Sequence, residues 1–364
     1  MDTELLYMPT FRVRQQENLV LKSFDFGDKI YPLLEIVKEH DRSRKEDAQK
    51  PFSEIHLELI NSIQSSHVFV DLPVYLKQSG AVKEEVLKFV LKVLNNLEIR
   101  CDYLNQLASA SRKMIPVISS YLLKTGEVGT IQKQRDLLSP NFSKLAYRLF
   151  PQSFSQDFPI VCALATTNDY IIIDLDQIIP YHKSPPLRPI VDALKNFDGC
   201  CKILLRSALN SEIQNVKLDH EQVIFDADNS QIDSEVISAF GVSAVGDFVG
   251  IKKDELTAGG SISPGFIYYD AVENQYYGYK AAIKGNIDEF ANTIVPAVLR
   301  SQSTLRMQSA TPPFLTDDNW GYKTLGDIER GTENGRSQAK FKRISMEHYL
   351  YCIKVLIDSG KLAH

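Results

Sequence analysis

The chain of 364 residues has no apolar run long enough to cross a membrane. It has a single tryptophan and five cysteines, Cys101, Cys162, Cys200, Cys201 and Cys352. An odd count without C-x-x-C spacing argues against a disulfide framework and points to free thiols in a reducing compartment. The seven histidines, His40, His56, His67, His182, His220, His348 and His364, are scattered. No G-x-G-x-x-G, Walker lysine loop, H-E-x-x-H or G-x-S-x-G occurs, so the commonest nucleotide, zinc-protease and serine-hydrolase signatures are missing. Neither sign of charge dominates: a net charge of -5 gives no general surface for polyanions. Met1-Asp2-Thr3-Glu4 is acidic where a secretory signal is basic, so a cytoplasmic protein is expected, with no membrane.

What is present is a repeated form: a short apolar run closed by one polar side chain. Tyr170-Ile171-Ile172-Ile173-Asp174-Leu175-Asp176 is the clearest case. Consecutive β-branched residues read as a strand buried on both faces, as in a parallel sheet, and Asp174 and Asp176 should share one side of it. Further strands are expected at residues 7–12, 30–37, 67–72, 114–120, 145–150 and 201–206. The eighth is expected at 244–251, with 223–227 as the competing stretch. Helical spacing separates them, most strongly over residues 82–97. The charged stretch 40–50 reads as a solvated loop. This alternation predicts a (β/α)8 barrel over residues 1–254, with a doubly wound open sheet as the runner-up. Residues 255–364 read differently, as a tyrosine-rich hairpin over 266–280, a helix over 287–299, a loop over 309–338 and a closing helix over 346–357. They predict an α+β extension packed on the barrel.

Each strand offers one charged residue: Arg12, Glu35, Asp71, Arg148, Asp174, Arg206 and Asp247, with Ser119 in the fourth. If the opposite parity packs against helices, these should converge inward at the carboxyl rim, where barrel enzymes keep their chemistry. Signs should alternate, with Asp174 beside Arg206 and Arg206 beside Asp247. Two readings stay open: a salt-bridged plug that fills the barrel, or a pocket for a small polar or phosphorylated ligand gripped by arginines. The expected ligand-binding set is Arg12, Glu35, Asp71, Arg148, Asp174, Asp176, Arg206 and Asp247. Glu35, Asp71 and Asp174 are the candidate acids or bases, or with Asp176 the holders of Mg²⁺ or Mn²⁺. No histidine joins the ring, which argues against zinc. The tyrosines Tyr268, Tyr269, Tyr276, Tyr277 and Tyr279 could stack on bases or pair across the hairpin.

Tyr7-x-Pro9 with Arg12, Arg14, Gln16 and Glu17 resembles the opening of the protein beta family of phages and bacteria. Ile30-x-Pro32-x-x-Glu35 and Gly246-Asp247-Phe248 resemble its later motifs. Asn319-Trp320-Gly321, Arg343-Ile344 and Glu347-His348-Tyr349 are similar to its C-terminal region, although Lys342 stands where tryptophan is expected and one histidine stands for two. The resemblance implies a phage- or defence-linked setting and no assigned chemistry. Three functions follow as expectations. The first is a barrel binding a protein partner or a small anionic ligand at its rim. The second is a metal-dependent hydrolase of phosphate esters or nucleotides, with Arg148 and Arg206 as anion clamps. The third, nucleic-acid binding by the tyrosine hairpin, is disfavoured by the charge balance.

Overall fold

Apolar β-branched and aromatic runs supply eight short parallel strands that close on themselves. The computed structural model describes residues 4–39, 50–76, 82–253, 264–283 and 285–362. The strands are β1 (Tyr7–Arg12), β2 (Leu33–Glu35), β3 (Val68–Asp71), β4 (Met114–Ser119), β5 (Ala146–Leu149), β6 (Tyr170–Asp174), β7 (Cys201–Leu205) and β8 (Ala244–Asp247). Each pairs with its neighbour in sequence, and β8 returns to β1 with Pro9 opposite Asp247. The barrel is therefore closed, and the open sheet is ruled out. The stretch 244–251 supplies the eighth strand. The competing stretch contributes only Gln222–Val223, which pairs outside the barrel.

The two faces of the barrel wall separate cleanly. Met8, Leu33, Phe69, Ala146, Ile172, Ile203 and Ala244 form an interior cluster of their own. Leu34, Val70, Tyr147, Ile173, Leu204 and Val245 join the larger core shared with the surrounding helices. That alternation fixes which side chain at each strand end faces the barrel axis. β2 is shorter than the expected 30–37 because Pro32 has no N–H to give to the ladder; its carbonyl still accepts from Phe69 at 2.9 Å. Asp176 falls beyond β6, at φ +53°, rather than on its face.

Beyond the barrel, β9 (Gly265–Asp270) and β10 (Gln275–Lys280) form the expected hairpin, with Tyr268 opposite Tyr277 and Tyr269 opposite Tyr276. The C-terminal helix, Gln338–Asp358, lies on it and starts eight residues earlier than residue 346, because its first turns are basic rather than apolar. The expected loop 309–338 instead contains the helix Trp320–Glu329, whose two glycines and polar face hide its period. The charged stretch 40–50 falls, but for Lys50, outside the described residues, as does the boundary expected at 254/255. Among the described residues no helix is long and apolar enough to cross a membrane.

Candidate functional site

On the interior parity, the carboxyl ends of the first six strands present Arg12, Glu35, Asp71, Ser119, Arg148 and Asp174, all buried. Arg148 is the centre. Its guanidinium bonds Glu35 at 3.0 Å, Asp71 at 2.9 Å and Asp174 at 2.6 Å, with no exposure to solvent. Arg12 holds the other Glu35 oxygen at 2.8 Å. Arg100 reaches in from the helix Leu97–Asn105 to hold the second Asp71 oxygen at 2.8 Å, and Gln134 accepts from it at 2.6 Å. The remaining Asp174 oxygen accepts from the Asp176 backbone N–H at 2.8 Å, and Tyr75 donates to Glu35. Every carboxylate oxygen in the belt is thus engaged, and three guanidinium groups balance three carboxylates. Ser119 shares the layer, but its buried hydroxyl makes no hydrogen bond.

These pairings set the proton affinities. Burial pushes Glu35 up, but Arg12, Arg148 and Lys253 together bring it down to about 2. For Asp71 burial wins over Arg148 and Arg100, and its pKa is raised. Burial opposes the charge on Arg148 too, yet the surrounding acidic groups raise its pKa well above the usual arginine value. A divalent cation does not fit this donor set, since each oxygen it would need is held by a guanidinium, a phenol or a backbone N–H. Among the described residues no three histidine, cysteine or acidic side chains gather as metal ligands.

Above the belt lies a cavity of about 470 Å³. One wall is apolar: Val82, Val86, Leu87 and Val90, mostly from the helix Glu84–Leu94, with Leu76 and Leu123. The polar part of the lining is Arg12, Asp174, Asp176, Gln177, Lys124 and Lys253, and Tyr75 and Phe150 line the cavity as well. Lys253 pairs with Asp176 at 2.8 Å and sits 5.2 Å from the Tyr75 ring centre and 4.8 Å from that of Phe248. The Arg148 guanidinium lies 4.3 Å from the ring centre of Tyr75, which itself lines the cavity.

Arg206 and Asp247 are not in this belt. On β7 the interior parity belongs to Cys201, Ile203 and Leu205, and on β8 to Ala244 and Gly246. Arg206 therefore turns outward. It donates to the carbonyls of Ile178, at 3.0 Å, and Asp228, and its ion pair is with Asp228 at 3.4 Å. Neither the expected Asp174–Arg206 pair nor the Arg206–Asp247 pair forms. Asp247 accepts from the Tyr7 hydroxyl at 2.7 Å and from Tyr349 on the C-terminal helix. Burial raises its pKa against those hydrogen bonds. Four of the hairpin tyrosines, Tyr268, Tyr269, Tyr276 and Tyr279, are buried: Tyr268 stacks on His348 at 4.3 Å and Tyr269 meets Tyr349 edge-on at 4.7 Å, so these rings are core, while Tyr277 is partly exposed and accepts from Arg306 at 2.8 Å.

Three of the C-terminal motif residues act in docking. Asn319 caps the helix Trp320–Glu329 through Tyr322 N–H at 3.0 Å. Its amide also lies 3.0 Å from His348 Nδ1, while His348 Nε2 lies 2.8 Å from the Tyr269 carbonyl. A carbonyl only accepts, so Nε2 carries the proton and Nδ1 accepts from Asn319. Burial lowers His348 to about 4, which keeps the ring neutral. Gly321 lets the two helices touch: a Cβ there would meet the Ile344 carbonyl at 2.5 Å. Arg100, Tyr75, Gln134 and Lys253 went unseen in the sequence. Only Arg100 left a trace, as a charge on the apolar stripe of Leu97, Cys101 and Leu104.

A family model described as Beta protein matches residues 7–353. No curated protein matches the chain. Among solved structures, the Ignisphaera aggregans GH53 catalytic domain matches at 10% identity and a TM-score of 0.36, covering 69% of this chain and 86% of that one, a likeness too distant to bear on activity.

Proposed function

The chain belongs to the Beta protein family, and on that premise we propose that it is a ligand-binding barrel. Its carboxyl-end cavity takes a small molecule with an anionic head and an apolar body. The observation that carries this reading is the mixed lining: aliphatic side chains from the helix Glu84–Leu94 and the cations Arg12, Lys124 and Lys253 line one cavity of about 470 Å³. The carboxylates below serve as a neutral, fixed floor. Arg12, Lys124 and Lys253 stand in the lining against Asp174 and Asp176, so an entering anion meets a small excess of positive charge. The aliphatic wall holds the ligand's body out of water. The phage- or defence-linked setting implied by the resemblance makes the bound molecule a signal, read by a protein partner at the rim. A metal-dependent hydrolase is the weaker reading, because the carboxylates it needs are occupied by arginine.

Thermal unfolding with added hexyl phosphate tests this, with inorganic phosphate as the head alone. Ligand at about 100 times its Kd stabilises by roughly 2.7 kcal/mol. Hexyl phosphate should raise Tm saturably, inorganic phosphate much less, and Val86→Asp should abolish the rise. No saturable rise in the wild type, or an equal rise in Val86→Asp, defeats the proposal.

A further inference from the structure

The C-terminal motifs leave three residues that do not dock anything: Trp320, Arg343 and Glu347. With Leu19, Lys323 and Asp327 they line a cavity of about 360 Å³ between the first helix, Gln15–Ser23, the helix Trp320–Glu329 and the C-terminal helix. It shares no residue with the rim cavity. Glu347 is only 7% exposed, yet its carboxylate receives no hydrogen bond among the described residues, and Arg343 stays 3.5 Å away. Arg343 Nε is buried and also makes no hydrogen bond. A buried guanidinium nitrogen of this kind is costly unless something completes it. Burial pushes the Glu347 carboxyl up to about 7, against the pull of Arg343. Trp320 lines the same space and is 52% exposed.

These groups define what would complete them. An exposed indole offers a face for a flat ring. A carboxylate beside it accepts two N–H groups side by side. Of the common bases only guanine presents two adjacent donors, at N1 and the exocyclic N2; adenine and cytosine set a donor next to an acceptor, and uracil flanks its donor with acceptors. Arg343 and Lys323 then stand ready for an anionic group. The lining charges cancel, two cations against Asp327 and Glu347, which suits a ligand with a donor edge and a negative tail. A partner's arginine would instead meet two like charges. A cavity of about 360 Å³ suits a nucleoside monophosphate. We propose that this groove is a guanine-nucleotide site, with the base stacked on Trp320, its donor edge on Glu347 and its phosphate between Arg343 and Lys323.

The test is equilibrium dialysis of labelled GMP against the full chain, read together with Trp320 fluorescence. The chain has no other tryptophan, so the fluorescence reports from this groove alone. GMP should bind saturably and change the emission, and AMP should bind at least about ten-fold more weakly. Glu347→Gln, which turns one acceptor into a donor, and Trp320→Ala should each weaken GMP by about ten-fold or more. Hexyl phosphate should not displace GMP, so this site and the rim stand or fall separately. No GMP bound at millimolar concentration overturns the proposal. So does AMP bound as tightly as GMP, or wild-type affinity in folded Glu347→Gln.

Discussion

Two charged regions of the molecule obey opposite rules. In the belt, three guanidiniums and three carboxylates are buried and every carboxylate oxygen is engaged. In the groove on the C-terminal helix, Arg343 and Glu347 sit close without a hydrogen bond between them, beside an exposed tryptophan. The belt arrived at neutrality within the fold, so its charges are already spent on one another. The groove did not: Arg343 Nε is buried without a hydrogen bond, and Glu347 lines an open groove with only one long ion pair. Charged side chains at a barrel rim are thus a poorer guide to a site than charged side chains left short of partners.

The largest effect that would break this comparison is at Arg148. Arg148→Met leaves Glu35, Asp71 and Asp174 short of a partner at once, and should cost about 4 kcal/mol or more in urea unfolding. Arg343→Met in the groove should cost under about 1 kcal/mol, since it removes one long ion pair. Equal costs at the two sites would show that satisfaction is not what separates them. The pH dependence should split the same way. Glu35 lies at about 2 when folded, below its ordinary value, so its contribution is present above about pH 4.5 and is lost as pH falls toward 2. Glu347 lies at about 7, above its ordinary value, so its contribution is full below about pH 4.5 and is lost as pH rises through 7. Glu347→Gln, which mimics the neutral form, should therefore match the wild type at pH 4.5 and exceed it by about 1–3 kcal/mol at pH 8. A difference independent of pH would remove the unsatisfied carboxylate from the argument.

The barrel was legible because each strand is a bounded apolar run, and Ile171-Ile172-Ile173 admits few other fates. The belt was legible where one parity of a strand is apolar and the other ends in charge, as at Glu35, Asp71, Arg148 and Asp174. It failed at Arg206 and Asp247 for a physical reason. At β7 and β8 the charges Lys202, Arg206 and Asp247 fall on the parity that faces outward, so a strand-end charge does not mark the inner side, and the register with neighbouring strands decides which side faces the axis. Arg100 comes from a helix, so no count of strand-end charges could include it. The groove draws on three helices separated by some three hundred residues, and neither its cavity nor its carboxylate without a hydrogen bond has a local signal. What the sequence offered was the motif, without the division of labour inside it.

That division can be tested within one dipeptide. Gly321 faces the Ile344 carbonyl and the His348 N–H, both on a helix backbone that cannot step aside, and Gly321→Ala should cost about 1–3 kcal/mol. Trp320, its neighbour, points into the groove and is half exposed, so Trp320→Phe should change stability by under about 0.5 kcal/mol in the same denaturant series. A tryptophan that costs little to remove has no structural reason to stand at that position. If Trp320→Phe instead destabilised as much as Gly321→Ala, the ring would belong to the packing between the helices, and the groove would lose the face on which a flat ligand could stack.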